Sequence, residues 1–287
     1  MPKLTTGPDP NPKKPKLKAP PNACDSHIHL FGPAAKYPFA PDSPYTAHDA
    51  LPEHFFALQD KLGLSTGVIV SPGGYGRNYA MLADVLAKYP RRFRGIALVR
   101  DDIPGAELKR LTSLGVRGMR MMSHARGQHV PNYSKETAAR VHEHGWHIQF
   151  YPHGTDIAEY ADKLLELKND IVLDHFASIP AEGGTEQPAV KAVLKLLDTG
   201  RVWLKLSGPM RCTTQNPPYP SVTPLAHLFV KHAPERMVWG SDWPHVNLDG
   251  REIPNDGDLL DLMLEWVPDA AVRNRILSQN ANKLYGF

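Results

Sequence analysis

Eight short apolar runs recur along this chain, each followed by a stretch patterned as an amphipathic helix, and that alternation restricts the fold more than any other feature. The candidate strands are Ala23–Leu30, Gly67–Val70, Phe93–Val99, Val116–Met121, His147–Tyr151, Ile171–His175, Val202–Gly208 and Met237–Trp243. Between them lie helical patterns such as Leu51–Leu62, Ala106–Leu114, Pro188–Asp198 and Thr223–His232, and Asp256–Trp266 and Asp269–Asn280 close the chain. Strands separated by helices of this length pair in parallel, and eight such units predict a closed (β/α)8 TIM barrel of the α/β class. The length of 287 residues suits one barrel, so residues 23–287 are expected to form a single catalytic domain.

Residues 1–22 read differently. They hold seven prolines, five lysines and one aspartate, and they contain no apolar run. A secretory signal needs an apolar stretch of roughly 7–15 residues, so this segment is expected to be an extended Pro/Lys-rich arm. Its local charge of +4, set against +3 for the whole chain, leaves the remainder near −1. A nearly neutral body gives no basis for nucleic-acid binding. No segment approaches the roughly 18 apolar residues of a membrane span. Cys24 and Cys212 are too few for a disulfide framework and read as reduced thiols of a cytoplasmic protein.

In a barrel of this type chemistry sits where the strands end at the carboxyl face. The first strand ends in Asp25-Ser26-His27-Ile28-His29, and period-two alternation turns His27 and His29 to one side. The sixth ends in Asp174-His175, where alternation suggests that Asp174 turns outward into a cap or salt bridge. The eighth runs Gly240-Ser241-Asp242-Trp243-Pro244-His245. A carboxylate at the end of a buried strand is costly unless paired, hydrogen-bonded or bound to metal. Three imidazoles and Asp242 are therefore expected to converge on one pocket. Arg120 at the fourth strand's end, Arg126 in the following loop and Arg211 after the seventh strand form an expected basic rim suited to carboxylates. The Gly73-Gly74-Tyr75-Gly76-Arg77 loop lacks the spacing of a phosphate-binding loop and reads as a tight turn.

The His27-x-His29 pair together with Gly240-Ser241-Asp242-Trp243-Pro244-His245 resembles the amidohydrolase superfamily. More narrowly, it is similar to the branch containing 2-pyrone-4,6-dicarboxylate lactonase and D-galactarolactone isomerase, and the likeness extends from Ala23 onward. Further matching stretches are His29-Leu30-Phe31-Gly32-Pro33, Tyr37-Pro38-Phe39 and Pro254-Asn255-Asp256-Gly257. The resemblance implies opening of a carboxylated lactone in aromatic or sugar-acid catabolism. It implies Asp242 as general base, His27, His29 and His175 as donors to the carbonyl oxygen, and Tyr45, Arg120, Arg126, Tyr151 and Arg211 as substrate contacts. Two positions depart from it: Pro72-Gly73-Gly74-Tyr75 stands where a serine follows strand 2, and Ser178 where an arginine follows the strand-6 histidine.

The strand-4 and strand-5 ligands of two-metal amidohydrolases are also missing, since Arg120 and Phe150-Tyr151 stand at those ends and His153 lies beyond, in the loop. The expectation is thus no cofactor, with one Zn²⁺ on His27, His29, His175 and Asp242 as the alternative. The expected partner is a small anionic lactone. Alternative activities are isomerisation of a sugar-diacid lactone and, further off, metal-dependent decarboxylation.

Overall fold

A computed structural model describes residues 2–123, 133–248 and 250–287. Arg126 lies outside the described residues. The barrel strands are β1 (Cys24–Ile28), β2 (Thr66–Val70), β3 (Phe93–Ala97), β4 (Val116–Met122), β5 (His147–Tyr151), β6 (Ile171–Leu173), β7 (Val202–Ser207) and β8 (Met237–Gly240). Each pairs in parallel with the next in chain order. A parallel bridge between Ile28 and Trp243 closes the ring, and His29 N donates to Trp243 O at 2.8 Å while Asp242 N donates to His27 O at 2.9 Å. The closing seam therefore runs between the two strands that carry His27, His29 and Asp242.

Among the described residues one helix follows each strand, α1 (Pro52–Leu62), α2 (Ala80–Lys88), α3 (Gly105–Leu114), α4 (Lys135–His142), α5 (Ile157–Leu165), α6 (Pro188–Asp198), α7 (Thr223–His232) and α8 (Asp256–Trp266), and two short helices, Ala270–Asn274 and Ala281–Tyr285, come after them. Helix α6 shows why. Pro188 at its first turn presets the backbone angle a helix needs, and Val190, Val193, Leu196 and Leu197 recur at helical spacing to form the buried stripe. Each such side chain contributes about 1.5–3 kcal/mol when fully buried.

Two apolar layers result. One lies between strands and helices. The other fills the lumen with Cys24, Val68, Val70, Ile96, Val172, Trp203 and Val238, plugged at the amino end by Ala281 and Tyr285. Alternation from these lumen residues fixes what sits above them: Val172 places Asp174 inward, Trp203 places Lys205 and Ser207 inward, and Val238 places Gly240 inward, after which Asp242 turns at a left-handed φ of 68°.

The arm crosses the barrel's side. Lys3–Leu4 pairs in parallel with Tyr45–Thr46, Leu17 is buried, and Leu17 N donates to Asp261 Oδ1 of α8 at 2.8 Å. No helix among the described residues is long and apolar enough to cross a membrane.

Candidate active site

The three predicted imidazoles and Asp242 come together at the carboxyl-end mouth, all buried. His27 Nε2 lies 3.3 Å from His29 Nε2. Asp242 Oδ1 lies 3.7 Å from His27 Nε2, 3.6 Å from His29 Nε2 and 3.6 Å from His175 Nε2. Two backbone devices make this possible. Beyond β6 the chain takes four successive left-handed residues, His175 to Ser178, with φ of 51 to 54°. That conformation is costly for residues with a Cβ and swings the His175 ring back over the mouth. Gly208, itself at φ 54°, leaves room for it, since a Cβ there would stand 2.6 Å from His175 Nδ1. Gly240 does the same for His27, because a Cβ would stand 2.8 Å from its backbone nitrogen and its Cβ.

The partners of the outer ring nitrogens fix the protons. His29 Nδ1 sits 2.7 Å from the Val70 carbonyl, which can only accept, so this nitrogen carries the hydrogen. His27 Nδ1 lies 3.2 Å from the carboxylate oxygen Asp174 Oδ1 and 3.4 Å from the Lys205 ammonium. His175 Nδ1 pairs with Ser207 Oγ at 3.0 Å. Burial holds the rings neutral, pushing His29 down to about 3, His175 to about 4 and His27 well below its ordinary value. With the hydrogen on Nδ1, neutral His27 and His29 would present lone pairs to the centre; the expected donation of hydrogen bonds to a substrate oxygen requires the hydrogen on Nε2.

Burial alone would raise the Asp242 carboxyl, but Arg211, and after it the imidazoles, hold it well below the usual carboxylate range. Arg211 Nε and Nη2 donate to Asp242 Oδ2 at 3.0 and 2.9 Å, and the same guanidinium reaches Val246 O at 2.7 Å and Asn247 O at 3.3 Å. The expected place of Arg211 on a rim away from the base is corrected by these contacts. Its donors are largely spent on Asp242 and the strand-8 loop.

Arg120 differs. It is 5% exposed, donates through Nη2 to Asp174 Oδ2 at 3.3 Å, and its Nε finds no partner among the described residues. Its guanidinium lies 5.2 Å from the centroid of the Tyr151 ring, which packs edge-on against His175. Tyr45 is buried, and its hydroxyl accepts from Gly74 N at 3.0 Å. His153 stands exposed in the loop after β5.

Asp174 points inward, which corrects its expected outward role; β6 alternation from Val172 is the reason. Two residues not singled out in the sequence, Gln149 and Lys205, contact it, and a third, Ser207, stands behind His175. A lysine within Val202-Trp203-Leu204-Lys205-Leu206 was the available signal, because a cation inside a buried strand needs a partner as much as a carboxylate does. Asp25 ties the seam together, its Oδ1 accepting from His27 N at 3.1 Å and Ser241 N at 3.0 Å.

The donor set fits a metal ion. His27, His175 and Asp242 bring ligand atoms within 4.8 Å of one another, with His29 beside them. Tetrahedral zinc holds such ligands about 2.0–2.2 Å away, hence about 3.3–3.6 Å apart, close to the spacings above. The carboxylate, carbonyl and hydroxyl on the outer nitrogens are the usual supports of ligating histidines.

A parallel barrel bearing imidazoles from strands 1 and 6 and a carboxylate from strand 8 at its mouth defines a barrel enzyme of the hydrolase class. The chain belongs to the amidohydrolase family, whose model, described as Amidohydrolase, matches residues 24–287. It is 34% identical to the 4-sulfomuconolactone hydrolase of Rhizobium radiobacter, covering 93% of this chain and 91% of that one. It is 33% identical to the 2-pyrone-4,6-dicarboxylate hydrolase of Comamonas testosteroni, covering 96% and 93%. A crystal structure from Agrobacterium tumefaciens superposes with a TM-score of 0.86 at 26% identity, over 95% of this chain and 98% of the other.

Proposed function

We propose that the protein hydrolyses the ester bond of a small lactone bearing at least one anionic group. The observation that carries this reading is an ionised carboxylate, Asp242, set among three imidazoles and near a buried arginine, Arg120, whose Nε has no partner among the described residues. The names of the two hydrolase relatives support it.

In this reading Arg120 receives the anionic group, with Tyr45 and Tyr151 completing the contacts among the described residues. Arg211 holds Asp242 by Oδ2, so Oδ1 faces the reacting centre. Water attacks the lactone carbonyl carbon while Asp242 Oδ1 takes its proton. The ring C–O bond then breaks and the proton passes to the departing ring oxygen, giving a ring-opened acid. His27, His29, His175 and Asp242 would hold one divalent cation of the zinc type, in place of the metal-free arrangement expected from sequence. When bound, such an ion supplies Lewis acidity for the carbonyl and favours deprotonation of water. Buried Asp174 and the Val70 carbonyl keep the His27 and His29 rings turned with Nε2 inward.

A panel of lactones carrying from none to three carboxylate or sulfonate groups, followed by acidification of a weakly buffered indicator, tests the assignment. Turnover confined to anionic lactones is the expected result. A protein that opens none of them, or prefers the uncharged ones, overturns it.

A further inference from the structure

We propose that Lys205, which takes no part in the reaction above, is a positioning residue for His27 and acts through Asp174. Lys205 is fully buried on the lumen side of β7. Its ammonium has three hydrogens, and the surroundings supply three directions for them. Ser26 O lies at 2.8 Å, Gln149 Oε1 lies at 2.8 Å, and the third direction is contested between Asp174 Oδ1 and His27 Nδ1, each at 3.4 Å.

The contested direction decides where the His27 proton resides. Were Lys205 to donate to His27 Nδ1, the ring would carry its hydrogen on Nε2, aimed at His29 Nε2 and the Asp242 carboxylate. If Lys205 serves Asp174 instead, Nδ1 keeps its hydrogen for the same Oδ1 at 3.2 Å, and Nε2 stays bare toward the centre. Both bonds have the charged ammonium as donor, but only Asp174 adds the attraction of an opposite charge, which favours the second arrangement. Ser26 immediately precedes His27, so one ammonium grips both the strand that carries the ring and the carboxylate that orients it.

Asp174 has other partners, and they explain why it needs Lys205. Arg120 and Gln149 both bind its Oδ2, at 3.3 and 3.1 Å. Arg120 is the residue assigned to the substrate anion, so its hold on Asp174 loosens when substrate arrives. Lys205 is sealed from the mouth and keeps Oδ1 fixed through that exchange.

The kinetic part of the test rests on the proposed lactone hydrolysis, whereas the spectroscopic part does not. Full-length protein with ¹⁵N-labelled histidine, as purified, reports the His27 ring by long-range ¹H–¹⁵N correlation, assigned with His27→Gln. In Lys205→Met the His27 nitrogens should shift away from the Nδ1–H pattern. The isosteric Gln149→Glu, which draws the ammonium off Asp174 and repels the carboxylate, should move them the same way, and it decides the matter should the Met variant not fold. Against an anionic lactone, Lys205→Met should lower kcat about 10–100-fold, the usual cost of losing a supporting partner, with KM within about threefold. The Lys205→Met/Asp174→Asn double variant should be no slower than the slower single variant. Unchanged His27 resonances in the folded variants, or losses that multiply in the double variant, overturn the proposal. Failure of every lactone to turn over while the resonances shift as stated sinks the substrate reading and leaves Lys205's role standing.

Discussion

Arg211 and Asp242 share a two-donor contact on a single oxygen: Nε and Nη2 both reach Oδ2, at 3.0 and 2.9 Å, leaving Oδ1 to face the imidazoles. The arrangement splits one carboxylate into a held side and a working side. Arg211→Met should therefore lower kcat, by about 10–100-fold in line with other supporting contacts, with little change in KM. Asp242→Asn removes the base itself and should cost about 10²–10⁴ in kcat. Steady-state kinetics of both variants checks this; an Asp242→Asn enzyme that keeps a tenth of wild-type kcat removes the base from the mechanism.

Arg120 should behave in the opposite way. Truncating one partner of a desolvated charge pair costs about 2–5 kcal/mol, and Arg120→Met should show that loss as a higher KM for an anionic lactone. Against the same ring with its acid esterified, the variant and the parent should differ little. Equal losses on both substrates would make Arg120 a structural partner of Asp174 alone.

The facing lone pairs of His27 and His29 lead to a metal prediction. Protein stripped with a chelator should lose activity and regain it with about one zinc per chain, as read by elemental analysis. Metal-free protein with full turnover would return the site to hydrogen-bond catalysis, and the His27 and His29 tautomers would then need another origin.

Water isotope separates hydrolysis from isomerisation. In H2¹⁸O, mass spectrometry should find one labelled oxygen in the carboxylate of a ring-opened product. An unlabelled lactone of altered connectivity as the main product would identify an isomerase.

His147, outside the site, predicts how stability follows pH. Burial, reinforced by Lys205, pushes it down to about 3, so the folded chain leaves it neutral through the mildly acidic range. The unfolded chain takes up that proton near pH 6.5. Acidification below 6.5 thus favours unfolding, by about 2 kcal/mol at pH 5 for this one group. Urea midpoints at pH 7.5 and 5.0 should differ less in His147→Phe than in the parent. Identical differences would show that His147 has no part in the acid sensitivity.

The sequence by itself determined the barrel and most of what stands at its mouth. Apolar runs and helical stripes are local patterns, and a closed parallel barrel is the arrangement that buries all eight. His27 and His29, two residues apart, are legible because strand alternation is a rule of neighbouring residues, and Asp242 because a carboxylate directly after a buried apolar run needs a partner. His175 is different. Its side is set by a left-handed turn of four residues that no periodicity announces and that only surrounding packing sustains. Arg211 had a legible loop but no legible partner, because the carbonyls of Val246 and Asn247 and the carboxylate of Asp242 reach it from 31 to 36 residues away. Asp174, Gln149 and Lys205 come from three strands, and only the closed barrel brings their charges within reach of one another. Tertiary structure also decided what the outer ring nitrogens of His27 and His29 face, since Asp174, Lys205 and the Val70 carbonyl belong to other strands.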